Sequence, residues 1–376
     1  MSIETSVMSY FSDVEDPRTG KNITHPLINI VTIAILAVIC GADGWTDVER
    51  YGKAKREWLG SFLNLEKGIP SHDTFGRFFR WLDESAFQAC FVKWTASLCQ
   101  DSQGQLVAMD GKKLRRSQER RRGREGVWMV SAWVSENRLV LGQKKVDDQS
   151  NEITAIPKLL DQLDITGCVV TLDALHTQTK LATQIVEGQA DYILAVKDNQ
   201  GTLYEDLQLL FEGFEDIHYQ DVVYQTAQRE NTGHDRQEFR QIWVVCEPEH
   251  RQYLRRGTDW KNLHTLIKLV TVRVTPKKIE TSTRYFISSW QASAKKFLKA
   301  IREHWQIENG LHWVLDIAFR EDESRIRKDH RPQNMAVLRH IALNLLKQET
   351  SATVGMAAKR KMAGWDNNYL RKVVCP

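Results

Sequence analysis

The chain has 376 residues, room for two or three domains at ~150 residues each. Charged residues make up 27% and hydrophobic residues 42%, an ordinary globular balance that excludes wholesale disorder. The net charge of +4 is uneven: Gly111–Arg124 holds eight basic residues and one acid, so it carries +7 and the remainder sums to −3.

The six cysteines form no CxxC pair, and no secretory signal precedes them. Reduced thiols in a cytoplasmic protein follow, and a structural zinc site does not. The longest apolar stretch, Leu27–Ala42, has 16 residues and includes Asn29, short of the ~20 needed to cross a bilayer. It reads as a buried core helix.

In chain order, helical spacing of apolar residues continues through 46–63, 71–82 and 85–98. In GIPSHDTFGRFFRWL, Pro70 and Ser71 supply a helix start and Asp73 a carboxylate in the first turn. Phe75, Phe78, Phe79 and Leu82 make its apolar face, leaving His72, Arg77 and Arg80 to project elsewhere. Such a helix after a short turn suits either a packed helix or the reading half of a helix-turn-helix.

The middle reads as strands at 105–112, 127–135 and 138–146, a helix at 153–163, and a continuous apolar strand at 167–175. A helix at 177–187 and a strand at 191–197 come next. The order β-β-β-α-β-α-β predicts a mixed α/β sheet with ligands at the carboxyl ends of its strands. Beyond a helix at 201–214, strand-like runs at 238–246, 264–274 and 283–290 suggest a β-rich insertion, and 295–319 and 333–349 return to helix.

Asp110 and Asp173 each end an apolar strand and are followed by a small residue. Carboxylates over a low-dielectric floor need a compensating cation, and magnesium suits oxygen ligands; turn or cap residues are the alternative. A third ligand should come from the later helix, where His304, Glu308, His312 and Asp316 recur every four residues as one polar stripe. A transition-metal site of His, Glu and His is one reading of that stripe. It is not the HExxH zinc pattern, and oxygen ligands with one helical glutamate suit magnesium or manganese better. Glu321, Asp322 and Glu323 are rival third ligands or a solvated helix end.

With these residues in place, the chain resembles the H-repeat-associated transposases, bacterial insertion-sequence DDE transposases. The matching strings include DPRTGKNITHPL, PSHDTFGRFFRWL, MDGKKLRRS, DYILAVKDNQG, HWQIENGLHWVLDIAFREDESRIRK and NMAVLRHIALNLLK, running in order from about residue 16 to 347. The resemblance implies an RNase H-like mixed-sheet catalytic core (101–199 and 293–350) with a β-rich insertion (200–292). An all-helical N-terminal domain (1–100) would bind DNA, and 351–376 would be a C-terminal tail. It implies a metal-binding triad of Asp110, Asp173 and Glu308 carrying two magnesium ions, with manganese able to substitute. The implied reaction is cleavage at the element's ends and transfer of the freed 3′-hydroxyl into target DNA.

One departure stands out. Related transposases carry Tyr, Arg and Lys around the glutamate, where this chain has Ile301, His304 and Leu315. The DNA contacts those residues supply are therefore expected from Arg302, Arg325, Arg327 and Lys328. The basic loop leaves directly from the Asp110 strand, so Lys112, Lys113, Arg115, Arg116, Arg120, Arg121, Arg122 and Arg124 are expected beside the scissile phosphate of duplex DNA, a solvated loop being the alternative; His72 and Arg77 are candidates in the N-terminal region. Trp290, Trp305 and Trp313 are candidates for stacking on an unpaired base, core packing being the alternative. His176 reads either as a proton-transfer aid or as a surface histidine. Pairing of two element ends implies a homodimer on DNA, nucleoid-associated when bound. A catalytically decayed DNA-binding remnant is the alternative function; an RNase H-type nuclease leaves the helical first hundred residues unexplained.

Overall fold

Nine strands form one mixed sheet in the computed structural model, which describes residues 7–19, 23–99, 103–114, 116, 127–146, 152–233 and 235–375. They are β1 (Leu106–Lys113), β2 (Trp128–Val134), β3 (Leu139–Lys145), β4 (Val169–Leu172), β5 (Asp191–Val196), β6 (Tyr224–Gly233), β7 (Arg236–Val245), β8 (Thr265–Val274) and β9 (Ile279–Ser288). Their order across the sheet is β3-β2-β1-β4-β5-β9-β8-β7-β6. β4 runs parallel to both β1 and β5, and the other pairings are antiparallel.

The β-rich insertion is not a separate sheet. β9 pairs with β5, so four strands continue the central sheet outward. β6 escapes the sequence pattern because only Ala227 along it is buried. Its ten residues are held instead by a full register against β7, from Tyr224 opposite Val245 to Gly233 opposite Arg236, and Asp235 takes a φ of 53°.

Side-chain alternation sorts the sheet into two faces. Val107 and Met109 of β1 pack with α6 (Glu152–Leu160), α7 (Thr179–Glu187) and α8 (Gly201–Asp216). Ala108, Asp110 and Lys112 point the other way, toward α10 (Ala294–His304), α11 (Trp313–Ala318) and α12 (Arg331–Gln348). A small helix, α9 (Pro248–Arg251), lies between β7 and β8.

The N-terminal helices are α1 (Leu27–Ile39), α2 (Trp45–Ala54), α3 (Arg56–Gly60), α4 (His72–Trp81) and α5 (Glu84–Leu98). Ser71 caps α4 by accepting from the Thr74 amide, as its sequence position predicts. α1 is apolar apart from Asn29 and Thr32, and Ile33–Ile39 are fully buried, the pattern of a helix enclosed by protein. Its main neighbour is α12, in which every residue from Pro332 to Leu346 is buried. One hydrophobic cluster thus joins the N-terminal helices to α12 and to Trp133 and Val140 of the sheet.

Two asparagines of α12 tie it to its neighbours. Asn334 donates to the Phe79 and Leu82 carbonyls at 3.0 and 3.1 Å, closing the end of α4. The Asn344 amide exchanges two bonds with the Val140 backbone of β3, at 2.9 and 3.0 Å. The segment read as a C-terminal tail folds into α13 (Met356–Trp365) and α14 (Asn367–Val374). Arg360 pins it down by donating to the Val38 carbonyl at 2.8 Å and lying 4.2 Å over the Phe319 ring. Among the described residues no helix is long and apolar enough to cross a membrane.

Candidate metal centre

β1 and β4 deliver two aspartates to one level. Their last paired residues are Met109 and Leu172, and Asp110 and Asp173 are the next residue on each strand. Because the strands are parallel, both carboxylates emerge on the same face at the carboxyl edge. Gly111 donates its amide to Asp110 Oδ1 at 2.9 Å, and Asp173 caps a short 3-10 turn by accepting from the Leu175 amide at 2.6 Å. Burial pushes the Asp110 carboxyl above its usual range; Asp173 adds to this, while His312 and His176 oppose it.

The third carboxylate arrives on a distorted helix. After α10 ends, Ile307–His312 forms a π-helical turn before α11 begins. Its wider hydrogen-bond spacing rotates the residues beyond it, so the polar stripe expected from the four-residue repeat divides into three destinations. His304 turns back to Thr171 of β4, with 2.9 Å between Nδ1 and Oγ1, and burial pulls it down to about 4. Glu308 and His312 turn to Asp110. His312 Nδ1 lies 3.1 Å from Glu308 Oε2 and 3.7 Å from Asp110 Oδ2. Asp316 goes to Lys112.

Asp110, Glu308 and His312 each place a ligand atom within 4.8 Å of the others. The His312 bond holds the Glu308 carboxyl below its usual range. His312 Nε2 is buried without a hydrogen-bond partner among the described residues. The carboxylates of Asp110 and Glu308, with Asp173 beside them, supply oxygen donors that fit a hard divalent cation, and His312 adds an imidazole nitrogen, a donor better suited to a transition metal.

Two half-buried lysines flank the π-helical turn. Lys347 of α12 donates to the Gly310 carbonyl at 2.7 Å while lying 4.0 Å over the Trp133 ring. Trp133 is itself fully buried, and a Cβ on Gly310 would come within 3.1 Å of it. On the other side, Lys112 contacts Asp316 at 2.5 Å, Glu321 at 3.0 Å and the His312 carbonyl at 3.4 Å. Glu321 also meets Arg339 at 3.4 Å. Burial raises the Glu321 carboxyl, but Lys112 and Arg339 outweigh this and hold it at about 2.

The remaining expected residues scatter. Lys112 points into the protein rather than outward, with its side chain 11% exposed. Lys113 lies 5.4 Å over the Trp128 ring, and the Arg116 carbonyl accepts from Arg327 at 2.7 Å. Arg115, Arg120, Arg121, Arg122 and Arg124 lie outside the described residues. Arg302, Arg325, Lys328 and Arg77 are exposed, and His72 pairs with Glu49 at 2.7 Å. Trp305 and Trp313 stand exposed on either side of Glu308, whereas Trp290 packs edge-on against Phe297 at 5.2 Å. His176 is buried, not at the surface, because Ala174–His176 turns inward beneath β5. Glu321 is committed to its ion pairs and is not a third ligand. Nothing in the sequence pattern marks Trp133 or Lys347; Gly310 inside a helical run was the one visible sign of a close approach.

Residues 82–345, which contain both aspartates and the glutamate, match the family described as Transposase DDE domain, and the chain belongs to it. Residues 8–95 match the family described as DDE_Tnp_1-associated. Membership supports a transposase function and implies DNA binding and divalent metal use. The chain is 35% identical over 372 residues to the H repeat-associated putative transposase YhhI of Escherichia coli (strain K12), spanning 98% of this chain and 97% of that one. It is 36% identical over 381 residues to the Putative transposase YncI of Escherichia coli O157:H7, spanning 100% and 95%. A shorter relative, Inactive transposase YbfQ of Escherichia coli (strain K12), is 38% identical over 71 residues, or 19% of this chain.

Proposed function

We propose that this protein cleaves DNA at the ends of a mobile element and joins the freed 3′-hydroxyl to target DNA, using Asp110, Asp173 and Glu308. The observation that carries the reading is the convergence itself. Two aspartates stand level on adjacent parallel strands, and Glu308, 135 residues beyond the second of them (308 − 173), is brought against the first. The order β3-β2-β1-β4-β5, with β1 antiparallel to β2 and parallel to β4, supports an RNase H-like core.

Asp110, Asp173 and Glu308 would hold magnesium, as a pair of ions, with manganese able to substitute. Such ions lower the pKa of an attacking oxygen and stabilise the leaving one in an in-line displacement. Asp110 faces both the other aspartate and the Glu308–His312 pair, which suits it to the bridging position. His312 lies between Asp110 and Glu308 and offsets the repulsion that two converging carboxylates create. Trp305 and Trp313, exposed beside Glu308, offer flat faces to an unpaired base. The loop 111–124 leaves from the Asp110 strand, so its arginines would neutralise phosphates next to the scissile bond. Two element ends require two copies of the chain on DNA.

The test is nicking of DNA carrying the element's terminal repeats, with and without magnesium. Asp110→Asn, Asp173→Asn and Glu308→Gln should each abolish cleavage while duplex binding persists. Binding without any nicking by the unaltered protein would favour a decayed remnant, and full activity in all three variants would refute the triad.

A further inference from the structure

A cluster of arginines occupies the same sheet face as the metal centre, on the far side of α10. Along β7 the residues facing α10 alternate as Glu238, Arg240, Ile242 and Val244. Ile242 and Val244 pack under Phe297 and Ile301, while Glu238 and Arg240 extend beyond the helix. Their cross-strand partners lie on that face too: Arg229 of β6 opposes Arg240, and Arg273 of β8 opposes Glu238. Arg284 of β9 shares the face with Phe286, and α10 contributes Arg302.

One acid serves most of this set. Glu238 is buried and bonds Arg240 at 2.5 Å and Arg273 at 2.9 Å, with Arg236 at 3.8 Å. Arg240 Nη1 remains buried without a partner among the described residues. Arg229 sits directly opposite Arg240, and like charges opposed on one face destabilise a sheet. Burial and the neighbouring Arg240, Arg229 and Arg236 hold Arg302 below its ordinary value, and burial with Arg240 does the same to Arg284. Glu280 of β9 also opposes Arg273, yet Glu238 and Glu280 are two acids against Arg229, Arg236, Arg240, Arg273 and Arg284, so this face keeps an excess of positive charge.

Arg284 brings the cluster within electrostatic reach of the candidate metal centre. Arg284 and Asp173 both act on His304, which bonds Thr171, two residues before Asp173. We infer that the insertion sheet holds the phosphodiester backbone of duplex DNA along the Arg229–Arg240–Arg302 face, leading the strand toward Asp173. The ligand is set by the chemistry: spaced guanidinium groups on an open, polar, extended face recognise a line of phosphates. This inference rests on the proposed cleavage activity for its direction, and on the charge pattern alone for its ligand.

The experiment measures affinity for random-sequence duplex DNA as a function of salt, in EDTA so that no cleavage intervenes. Arg229→Ala combined with Arg302→Ala should lower affinity and make the log–log salt slope shallower by about 1.8, at ~0.9 for each phosphate no longer neutralised. Lys180→Ala, the same kind of charge removed from α7 on the opposite face, should leave the slope unchanged. Arg229→Lys keeps the charge and should keep the slope. Arg229→Ala alone should match or exceed the unaltered melting temperature, because it removes the opposed like charge; this separates weakened DNA binding from a damaged fold. An unchanged slope in the double variant, or an equal change in Lys180→Ala, overturns the inference. A protein that never nicks DNA but shows the slope change would refute the proposed activity and leave this surface standing.

Discussion

Replacing Lys112 with methionine separates two roles that its place in the sequence cannot. As part of a basic loop it would contact DNA; in the fold its side chain is 11% exposed and bonds Asp316 and Glu321. The magnitude comes from Glu321, whose side chain is 2% exposed and whose carboxyl is held at about 2 against an ordinary 4.5. A difference of ~2.5 pKa units corresponds to about 3 kcal/mol. Removing one member of a buried pair costs 3–5 kcal/mol by general experience, at roughly the low end here because Arg339 stays in place.

Both considerations give about 3 kcal/mol, or roughly 6 °C of melting temperature at ~2 °C per kcal/mol. Lys112→Met should therefore melt lower while its salt slope for DNA is unchanged. Adding Glu321→Gln should restore part of the loss, since the stranded carboxylate is gone. Because the folded value lies below the unfolded one, the Glu321 contribution is present above about 4.5 and disappears as pH falls toward about 2. The unaltered protein should lose stability over that acid range, and the Lys112→Met variant should lose less. An unchanged melting temperature with a shallower salt slope would refute the buried role.

Gly310→Ala should cost ~1–3 kcal/mol, read by thermal melting, because its Cβ meets the fully buried Trp133 ring at 3.1 Å. It should also displace Glu308, so cleavage should fall further than stability does; equal losses would argue against a role for the close approach. Lys347→Met frees the Gly310 carbonyl and should raise the magnesium concentration needed for cleavage while leaving DNA affinity intact. A superimposable magnesium titration would refute it. Neutralising Arg120, Arg121 and Arg122 should make the DNA salt slope shallower by about 2.7, at ~0.9 per phosphate, and an unchanged slope would remove that loop from the interface.

Much of the fold was legible because its signals are local. The apolar run at β4, the capping serine before α4 and the largely apolar α1 each arise from burial or hydrogen-bonding needs that a few neighbouring residues express. β6 was not legible, since a polar strand with one buried residue is specified by its partner's backbone. α13 and α14 were not legible either, because Lys359 and Arg360 look like surface charges until the carbonyls of Leu346 and Val38 come within reach.

For the metal centre, the sequence by itself determined the two strand-end aspartates, the glutamate helix and the resemblance that joined them. Strand ends and helical repeats are properties of short stretches, and they place a carboxylate without knowing its neighbours. Tertiary structure alone decided that the four-residue stripe divides at a π-helical turn. It alone decided that His312 bridges Asp110 and Glu308, and that Lys112 turns inward while Arg229 of β6 stands outside. Each of those outcomes depends on which charges are desolvated together. Desolvation is set by residues as far apart as Asp110, Trp133 and Lys347, and only the packed sheet and helices bring them to one place.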